Sequence, residues 1–340
     1  MSTGELWLRD FKPRTALVTE DHTPQRARFP VIEIHNHLCH PSLDTPTLVA
    51  LMDELNIHCM VDLDGGWGDQ LKEHLERFKH PYPDRFCVFV WVDWAQVDEP
   101  RIGEKWAARL ADAVRAGAQG LKVFKRLGLG YRDSSGALVM PDDPRLDPVW
   151  AAAGELGIPV LIHSADPVAF FWPLDETNER WEELQAHPDW HFYGDEYPSF
   201  IELIESQLRA VERHPGTTFI SAHVLSYAEH LRYVAQALDH YPNLYVDISA
   251  RIGELGRQPY TARWFLTEYA DRVLFGTDIT PNATTYRIYF RCLETADEYF
   301  DYGSNQGRYR IYGLHLPDEV LTQIYYGNAC RIFPGLTGPE

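Results

Sequence analysis

Two histidines separated by one residue, His35 and His37, follow a short run of strand-favouring residues that begins at Val31. Alternate side chains of a β-strand point to the same face, so the two imidazoles should lie side by side. Neighbouring imidazoles of this kind supply part of the ligand set of a catalytic metal ion. The spacing therefore predicts half of a metal site at the end of a buried strand.

Three further apolar runs end in residues that can bind a metal or transfer a proton, namely His163, His223 and Asp278. Imidazole and carboxylate ligands without a thiolate favour zinc, manganese or iron, with zinc as the first choice. Water on such a metal becomes acidic, and a neighbouring carboxylate can take its proton. The residue types therefore predict chemistry on a small organic substrate at a divalent metal.

The elements that must position these residues alternate regularly along the chain. Strand-like runs begin near Val31, His58, Phe86, Gln119, Ile158, Thr217, Asn243 and Arg272. Helical patterns follow at Thr45–Asn56, Asp69–His80, Arg101–Ala116, Pro144–Leu156, Phe200–His214, Ala228–Tyr241 and Tyr260–Ala270. Eight strands alternating with helices favour a (β/α)8 TIM barrel, in which the carboxyl ends of all strands meet at one rim. An open doubly wound sheet is the alternative, although no glycine-rich phosphate loop follows the first strand.

Other segments depart from this alternation. Residues 1–30 are predicted to form an extended arm, residues 281–310 have no clear assignment, and a last helix is predicted to begin at Leu316. Residues 165–199, after the fifth strand, form an aromatic-rich insertion. Its position favours a lid or pocket wall with Trp172 against the substrate, although a surface subdomain or a subunit interface fits equally well. No linker interrupts the chain, so we expect one domain over residues 1–340.

The composition limits the partners and the location that we expect. A formal net charge of −19 disfavours binding to nucleic acids and to anionic membranes, but it permits a small anionic substrate beside a metal or an arginine. Five scattered cysteines without a Cys-x-x-Cys pair suit a reduced, cytoplasmic protein. We find no secretory signal and no apolar stretch that could span a membrane. A homo-oligomer is compatible with the sequence.

The order of the candidate ligands resembles that of the amidohydrolase superfamily: His-x-His after strand one, histidine after strands five and six, and aspartate after strand eight. Within it, the chain is similar to the amidohydrolase 2 branch, which includes the aminocarboxymuconate-semialdehyde decarboxylase-like enzymes. The resemblance extends from about Val31 to Phe333 and includes the closing sequence from Gly327 onwards.

The resemblance implies roles for individual residues. It implies His35, His37, His163 and Asp278 as metal ligands. His223 would be a ligand of a second metal or, with one metal, the catalytic or polarising group. A lysine of strand four is carboxylated and bridges the metals in binuclear members, which draws attention to Lys122 and Lys125. Contact with the substrate, or neutralisation of acidic groups, is the simpler role for both lysines.

The predicted reaction is hydrolysis of an ester, lactone or amide, with Asp278 shuttling the proton and His223 stabilising developing charge. Arg251, after strand seven, could hold a substrate carboxylate with its planar guanidinium or pair with a nearby loop. Non-oxidative decarboxylation of an aromatic or muconate-type acid is the alternative, and a non-catalytic barrel is a third. The sequences around His223 and Asp278 differ from those usual in the decarboxylases, which favours hydrolysis.

Overall fold

The computed structural model describes residues 4, 6–7, 10–11, 13–40, 43–303, 306–336 and 338. Its eight strands are β1 (Val31–Asn36), β2 (Ile57–Asp62), β3 (Phe86–Trp91), β4 (Gly120–Val123), β5 (Val160–Ile162), β6 (Phe219–Ser221), β7 (Leu244–Asp247) and β8 (Val273–Leu274). They pair in chain order, and every neighbouring pair is parallel.

Backbone hydrogen bonds connect the first strand with the segment that begins at the last strand. The amide of Ile34 donates to the carbonyl of Phe275 at 3.0 Å, and the amide of Asp278 donates to the carbonyl of His35 at 2.9 Å. Together with the parallel order, these bonds make a nearly closed barrel. The predicted (β/α)8 barrel is confirmed, and the open doubly wound sheet is excluded.

Helices follow most of the strands. They are α1 (Thr45–Leu55), α2 (Asp69–His74), α3 (Ile102–Ala116), α4 (Arg126–Leu129), α5 (Asp147–Glu155), α6 (Trp181–Ala186), α7 (Phe200–Arg213), α8 (Ala222–Leu225), α9 (Leu231–His240), α10 (Ile252–Arg257), α11 (Pro259–Glu268), α12 (Ala283–Glu294), α13 (Asp318–Thr322) and α14 (Asn328–Ile332). Helix α12 lies in the segment that sequence analysis left unassigned.

Local sequence explains where several of these helices begin. Asp44 precedes α1, and its carboxylate accepts a hydrogen bond from the amide of Thr47 at 3.0 Å. Ser199 precedes α7, and its hydroxyl accepts from the amide of Glu202 at 3.3 Å. Both side chains satisfy an amide that the helix itself leaves without a partner. Residues 13–30 form neither helix nor strand, as the predicted arm requires.

Strands β6 and β8 end earlier than predicted, so His223 lies within α8, a short segment with irregular backbone, and Asp278 lies in the loop after β8. Sequence analysis extended these strands to His223 and Asp278, whereas they end at Ser221 and Leu274. His223 and Asp278 have φ angles of 60° and 56°, in the left-handed region that a strand cannot use. Apolar patterning continues past the strand ends and does not reveal this change of backbone direction.

Apolar side chains form two separate clusters. The larger one lies between strands and helices, and the smaller one joins residues from six strands, including Ile32, Phe89, Leu161 and Leu274. Such contacts across the sheet fill the barrel interior, as in other closed eight-stranded barrels. Ala329 of α14 and the adjacent Phe333 belong to the smaller cluster, so the closing segment packs against this interior. The polar site at the rim therefore lies above an apolar barrel interior.

The segment between β5 and α7 contains α6 and two 3-10 turns, Val168–Phe171 and Pro188–Trp190. Phe170 is buried, whereas Trp172 and Tyr193 are about half exposed. Across the described residues, every helix is too short or too polar to cross a membrane.

Replacement of Gly120 by alanine should destabilise the barrel. A Cβ atom at Gly120 would lie 2.1 Å from Cζ of the buried Phe89 ring, which cannot retreat within a filled interior. Overpacking of this kind costs about 1–3 kcal/mol. Gly216 is the matched control, because its Cβ would meet nothing within 4 Å and its φ is outside the left-handed region. Urea unfolding that finds both variants equally stable would contradict this packing.

Candidate metal centre

Three histidines converge on the carboxylate of Asp278 at the rim of the barrel. Oδ1 of Asp278 lies 3.3 Å from Nε2 of His37 and 3.7 Å from Nε2 of His35. Oδ2 lies 3.7 Å from Nε2 of His223. One ligand atom each from His35, His223 and Asp278 forms a group whose members lie within 4.8 Å of one another. These are donors that zinc, manganese and iron accept.

Each of these imidazoles uses its other ring nitrogen for a protein acceptor. The Nδ1 contacts are His35 with Asp247 Oδ2 at 2.8 Å, His37 with Asp64 Oδ1 at 2.7 Å, and His223 with the carbonyl of Ser249 at 2.9 Å. An acceptor at Nδ1 keeps a proton there, so that in the neutral ring the lone pair of Nε2 faces inward. Metal-binding histidines are oriented in this way, so the residues fit a divalent metal ion.

The ammonium group of Lys122 also faces this site. Lys122 is buried, its Nζ lies 3.1 Å from Nε2 of His35, and burial lowers its pKa to about 8. Nε2 of His35 thus already has a cationic donor on the side that a metal would approach. Of the two candidate lysines, Lys122 contacts a candidate metal ligand, whereas Nζ of Lys125 contacts Asp166.

Asp247, at the end of β7, links two of the candidate ligands from below. Besides its contact with His35, its Oδ1 accepts hydrogen bonds from the amides of His223 and Ser249, both at 3.0 Å, and from the Ser249 hydroxyl at 2.5 Å. Burial opposes ionisation of Asp247, but the ring of His35 and these donors hold its pKa well below the usual range. One carboxylate therefore fixes an imidazole ring and the left-handed backbone at His223.

Glu33 makes a second link below the site. Its Oε1 accepts from the amides of His35 at 2.9 Å and Thr277 at 3.1 Å, and its Oε2 accepts from the Thr277 hydroxyl at 2.7 Å. Burial raises the pKa of Glu33 to about 8. Glu33 therefore ties β1 to the loop that carries Asp278.

Sequence analysis missed Asp247, Ser249 and Glu33. A signal was available for two of them, because Asp247 ends a strand and Glu33 precedes His35 by two residues in a buried run. Asp64, two residues after the end of β2, contacts Nδ1 of His37 and also accepts from the amide of Cys39 at 3.0 Å.

His163 lies next to the site but faces another partner. Its ring centroid is 4.3 Å from that of His223, whereas its Nε2 lies 3.2 Å from Oδ1 of Asp166. Burial lowers the pKa of His163 to about 4. The second oxygen of Asp166 contacts Nζ of Lys125 at 2.5 Å, and this ammonium lies 5.2 Å from the ring centroid of Trp190. A ligand role for His163 and a substrate role for Lys125 stay predictions.

The protonation states suit a metal-binding site. Burial holds the pKa values of His35 and His223 below the ordinary value, which keeps both rings neutral. Burial opposes ionisation of Asp278, but His35 and the other histidines keep its pKa well below the usual range. Burial also opposes protonation of His37, yet its hydrogen bonds to Asp278 and Asp64 raise the pKa to about 9. Metal binding would release that proton.

A pocket of about 280 Å³ adjoins Asp278. It is lined by Ala250, Ile252, Thr277, Asp278, Ile279, Thr285, Tyr289, Tyr302, Gly303 and Gln306. Among these described lining residues there is no lysine or arginine. Trp172 lies elsewhere, in a groove of about 810 Å³ formed largely by aromatic residues of the insertion and the start of α7. Its contact with a substrate stays a prediction.

Arg251 is a buried cation without a paired anion. It is 4% exposed, and its Nη1 donates to the carbonyl of its neighbour Ala250 at 2.9 Å. Its Nε has no hydrogen-bond partner, and no carboxylate of the described chain lies within 4.0 Å of its guanidinium. Burial lowers the pKa of His223, and the charges of His163 and Arg251 lower it further. Buried charges are normally paired, which makes Arg251 a candidate binding group for an anion.

The family comparison covers most of the chain. Residues 73–335 match the family described as amidohydrolase. This match contains His163, His223 and Asp278, and it begins after His35 and His37. Among curated proteins, none shows significant sequence similarity to this chain.

Solved structures share the fold at low sequence identity. A dihydroxybenzoic acid decarboxylase from Polaromonas sp. JS666 with bound manganese is 17% identical, covering 89% of this chain and 96% of its own, with a TM-score of 0.57. An amidohydrolase from Burkholderia multivorans with bound zinc is 13% identical, covering 89% and 98%, with a TM-score of 0.51. A probable 2-pyrone-4,6-dicarboxylic acid hydrolase from Acinetobacter baumannii is 11% identical, covering 89% and 99%, with a TM-score of 0.50.

Replacement of Asp247 by alanine should weaken metal binding although Asp247 is not itself a candidate ligand. Loss of partners that orient metal-binding histidines typically reduces metal affinity about 10–100-fold. Asp239→Ala is the control, because Asp239 is exposed near the end of α9, which leads into the end of β7 opposite to Asp247. The measurement is zinc affinity by competition with a chromogenic chelator, on protein shown to be folded by circular dichroism. A folded Asp247→Ala variant with unchanged zinc affinity would contradict the role of Asp247.

Proposed function

Because the chain belongs to the amidohydrolase family, we propose that it is a metal-dependent hydrolase of a small ester, lactone or amide. The observation that carries this proposal is the convergence of His35, His37 and His223 on Asp278, with Nε2–carboxylate distances of 3.3–3.7 Å. The carboxylate is about one quarter exposed at the rim, so it can reach both a metal ion and a substrate.

His35, His223 and Asp278 would hold the metal, with His37 and His163 as neighbouring ligands. A bound zinc, manganese or iron ion would polarise the scissile carbonyl and make water more acidic. The donor set does not select one of these metals, since imidazole and carboxylate ligands suit all three.

Asp278 is the residue that we assign as general base. Its carboxylate is ionised at neutral pH, so it can accept a proton from the attacking water and later give it to the leaving group. The backbone at Asp278 is left-handed, and its amide donates a hydrogen bond to the carbonyl of His35. This arrangement holds the carboxylate toward the imidazoles.

For His223 we favour the ligand role over charge stabilisation. The carbonyl of Ser249 can only accept, so the ring proton of His223 resides on Nδ1. Nε2 then has a lone pair and no proton to donate to a developing oxyanion. With its pKa held well below the ordinary value, the ring stays in this neutral state.

The pocket beside Asp278 supports a substrate whose scissile group is uncharged. Hydroxyl and apolar side chains make its walls, with Asp278 as the charged member among the described lining residues. Its volume of about 280 Å³ suits a small molecule. Arg251, which is not among the lining residues of this pocket, would hold an anionic group of the same substrate.

Non-oxidative decarboxylation is the second candidate, and the unpaired guanidinium of Arg251 is the observation that favours it. In that reaction Arg251 would hold the carboxylate that departs. The fold is compatible with both reactions, since a decarboxylase and a probable hydrolase share it. A non-catalytic barrel is the weakest candidate, because a site without a reaction has no need for so many buried, oriented titratable groups.

Replacement of Asp278 by asparagine should reduce hydrolysis by roughly 10²–10⁴, the usual contribution of general base catalysis. The test uses a panel of esters, lactones, amides and hydroxybenzoates in water enriched in oxygen-18. Label in the organic product of the native protein supports hydrolysis. Release of carbon dioxide without label in the product would show that the chain is a decarboxylase. Asp239→Asn, on the exposed face of α9, should retain full activity.

Removal of the metal should abolish the reaction reversibly. Exhaustive dialysis against a chelator should yield an inactive, folded protein, and addition of zinc or manganese should restore activity, because the proposed hydrolysis requires the metal to polarise the carbonyl and to acidify water. His35→Ala should lose metal and activity together, whereas His240→Ala at the exposed end of α9 should lose neither. Full activity after verified metal removal would refute the metal-dependent mechanism.

A further inference from the structure

A buried arginine of the insertion, Arg180, pairs with Glu254 of helix α10 near the rim of the barrel. Arg180 is fully buried; its Nη1 donates to Oε2 of Glu183 at 2.7 Å, and its Nη2 donates to Oε1 of Glu254. Burial of two opposite charges adds little net stability, because the loss of hydration offsets their attraction. The ion pair therefore matters mainly through its effect on neighbouring charged groups.

Glu254 is the carboxylate best placed along the chain to neutralise Arg251. Arg251 is the residue that precedes α10, and Glu254 occupies the third position of that helix. At helix N-termini, a glutamate at the third helical position commonly folds back toward the residue that precedes the helix. Glu254 nevertheless contacts Arg180, and Arg251 has no carboxylate within 4.0 Å.

We propose that Arg180 is a positioning residue that holds Glu254 and thereby leaves the guanidinium of Arg251 free to bind an anionic group of the substrate. This inference rests on the substrate-binding role of Arg251 in the proposed function. It does not depend on whether the reaction is hydrolysis or decarboxylation, since both place an anionic group on Arg251.

A second carboxylate, that of Glu229, lies near Arg251 but does not pair with it. Glu229 is largely buried; burial and repulsion by Glu254 raise its pKa, whereas the charge of Arg251 lowers it. Its Oε1 accepts from the amide of Val168 at 3.3 Å, and its Oε2 has no partner. Neither Glu229 nor Glu254 lies within 4.0 Å of the guanidinium of Arg251, and of the two only Glu254 is held by another cation.

A second ion pair holds the far end of α10 against the insertion. Nη1 and Nη2 of Arg257 donate to the two carboxylate oxygens of Glu179 at 2.9 and 3.0 Å, and the guanidinium lies 4.0 Å from the centroid of the Tyr309 ring. Glu179 and Arg180 are adjacent, so neighbouring residues of the insertion hold Arg257 and Glu254 of the same short helix. The Arg180–Glu254 contact therefore belongs to a helix that is held by ion pairs at two positions.

Benzoate provides a direct probe, because it has a carboxylate and no bond that a hydrolase could cleave. Its affinity for the purified full-length protein is measured by isothermal titration calorimetry in low-chloride buffer. Native protein should bind benzoate, and Arg251→Met should lose this binding. Arg180→Met should bind roughly tenfold to hundredfold more weakly, since Glu254 then competes for Arg251 and a hydrogen bond to a charged group contributes about 1.5–3 kcal/mol.

The two halves of the ion pair should give opposite results. Glu254→Gln removes the competing charge and should bind benzoate like the native protein. The double variant Arg180→Met with Glu254→Gln should recover most of the affinity that Arg180→Met loses. Arg180→Lys, which preserves the charge, should bind nearly normally and serves if Arg180→Met does not fold. Arg308→Met is the matched control, because Arg308 pairs with Glu182 of the same insertion at the exposed surface.

Native affinity in folded Arg180→Met would overturn the proposal. A Glu254→Gln variant that loses benzoate binding as Arg180→Met does would also overturn it, because both changes would then act only by loosening the fold. Equal binding by native protein and Arg251→Met, or no binding by either, would remove the anion site on which the proposal rests. None of these results depends on catalytic turnover, so a failure of the proposed hydrolysis is detected separately by the oxygen-18 experiment.

Discussion

The buried carboxylate of Asp247 is the interaction on which the site depends most. It contacts the ring of His35, the amide of His223 and both donors of Ser249, so groups from β1, the loop after β6 and the loop after β7 meet on one side chain. The left-handed backbone at His223 is unfavourable for a side-chain-bearing residue and persists because its amide is held in this way. Asp247 thus both orients the ring of His35 and stabilises the strained backbone at His223.

Much of the fold and part of the site follow from the sequence in physical terms. Alternation of strand-like and helical runs predicts the barrel, and barrel geometry then predicts that the candidate ligands meet at a rim. The structure brings His35, His37 and His223 to the carboxylate of Asp278, whereas Nε2 of the fifth candidate, His163, contacts Asp166. The buried partners were harder to foresee, because apolar patterning treats an acidic residue inside a strand as an interruption. Asp247 and Glu33 acquire meaning only when loops distant in sequence supply their donors. Helix α12 was missed because tyrosines obscure its apolar stripe.

Charge is distributed unequally around the site. Asp247 is satisfied by several donors, Asp278 is surrounded by imidazoles, and Arg251 remains without an anion. A metal ion would bind to Asp278 and the imidazoles, and a substrate with an anionic group would pair with Arg251. The insertion contributes to this balance through Arg180, which engages a carboxylate that Arg251 would otherwise attract. The barrel supplies the metal ligands, and Arg180 of the insertion keeps Arg251 free of a paired carboxylate.

The central claim is that one divalent metal ion binds between His35, His223 and Asp278. Crystals of zinc-loaded protein, measured above and below the zinc absorption edge, test it directly. The account predicts an anomalous peak at about 2.0–2.2 Å from Nε2 of His35, Nε2 of His223 and a carboxylate oxygen of Asp278, the usual zinc–ligand distances. A fully occupied zinc peak away from these three side chains, or zinc-loaded crystals without a peak at the rim, would contradict it.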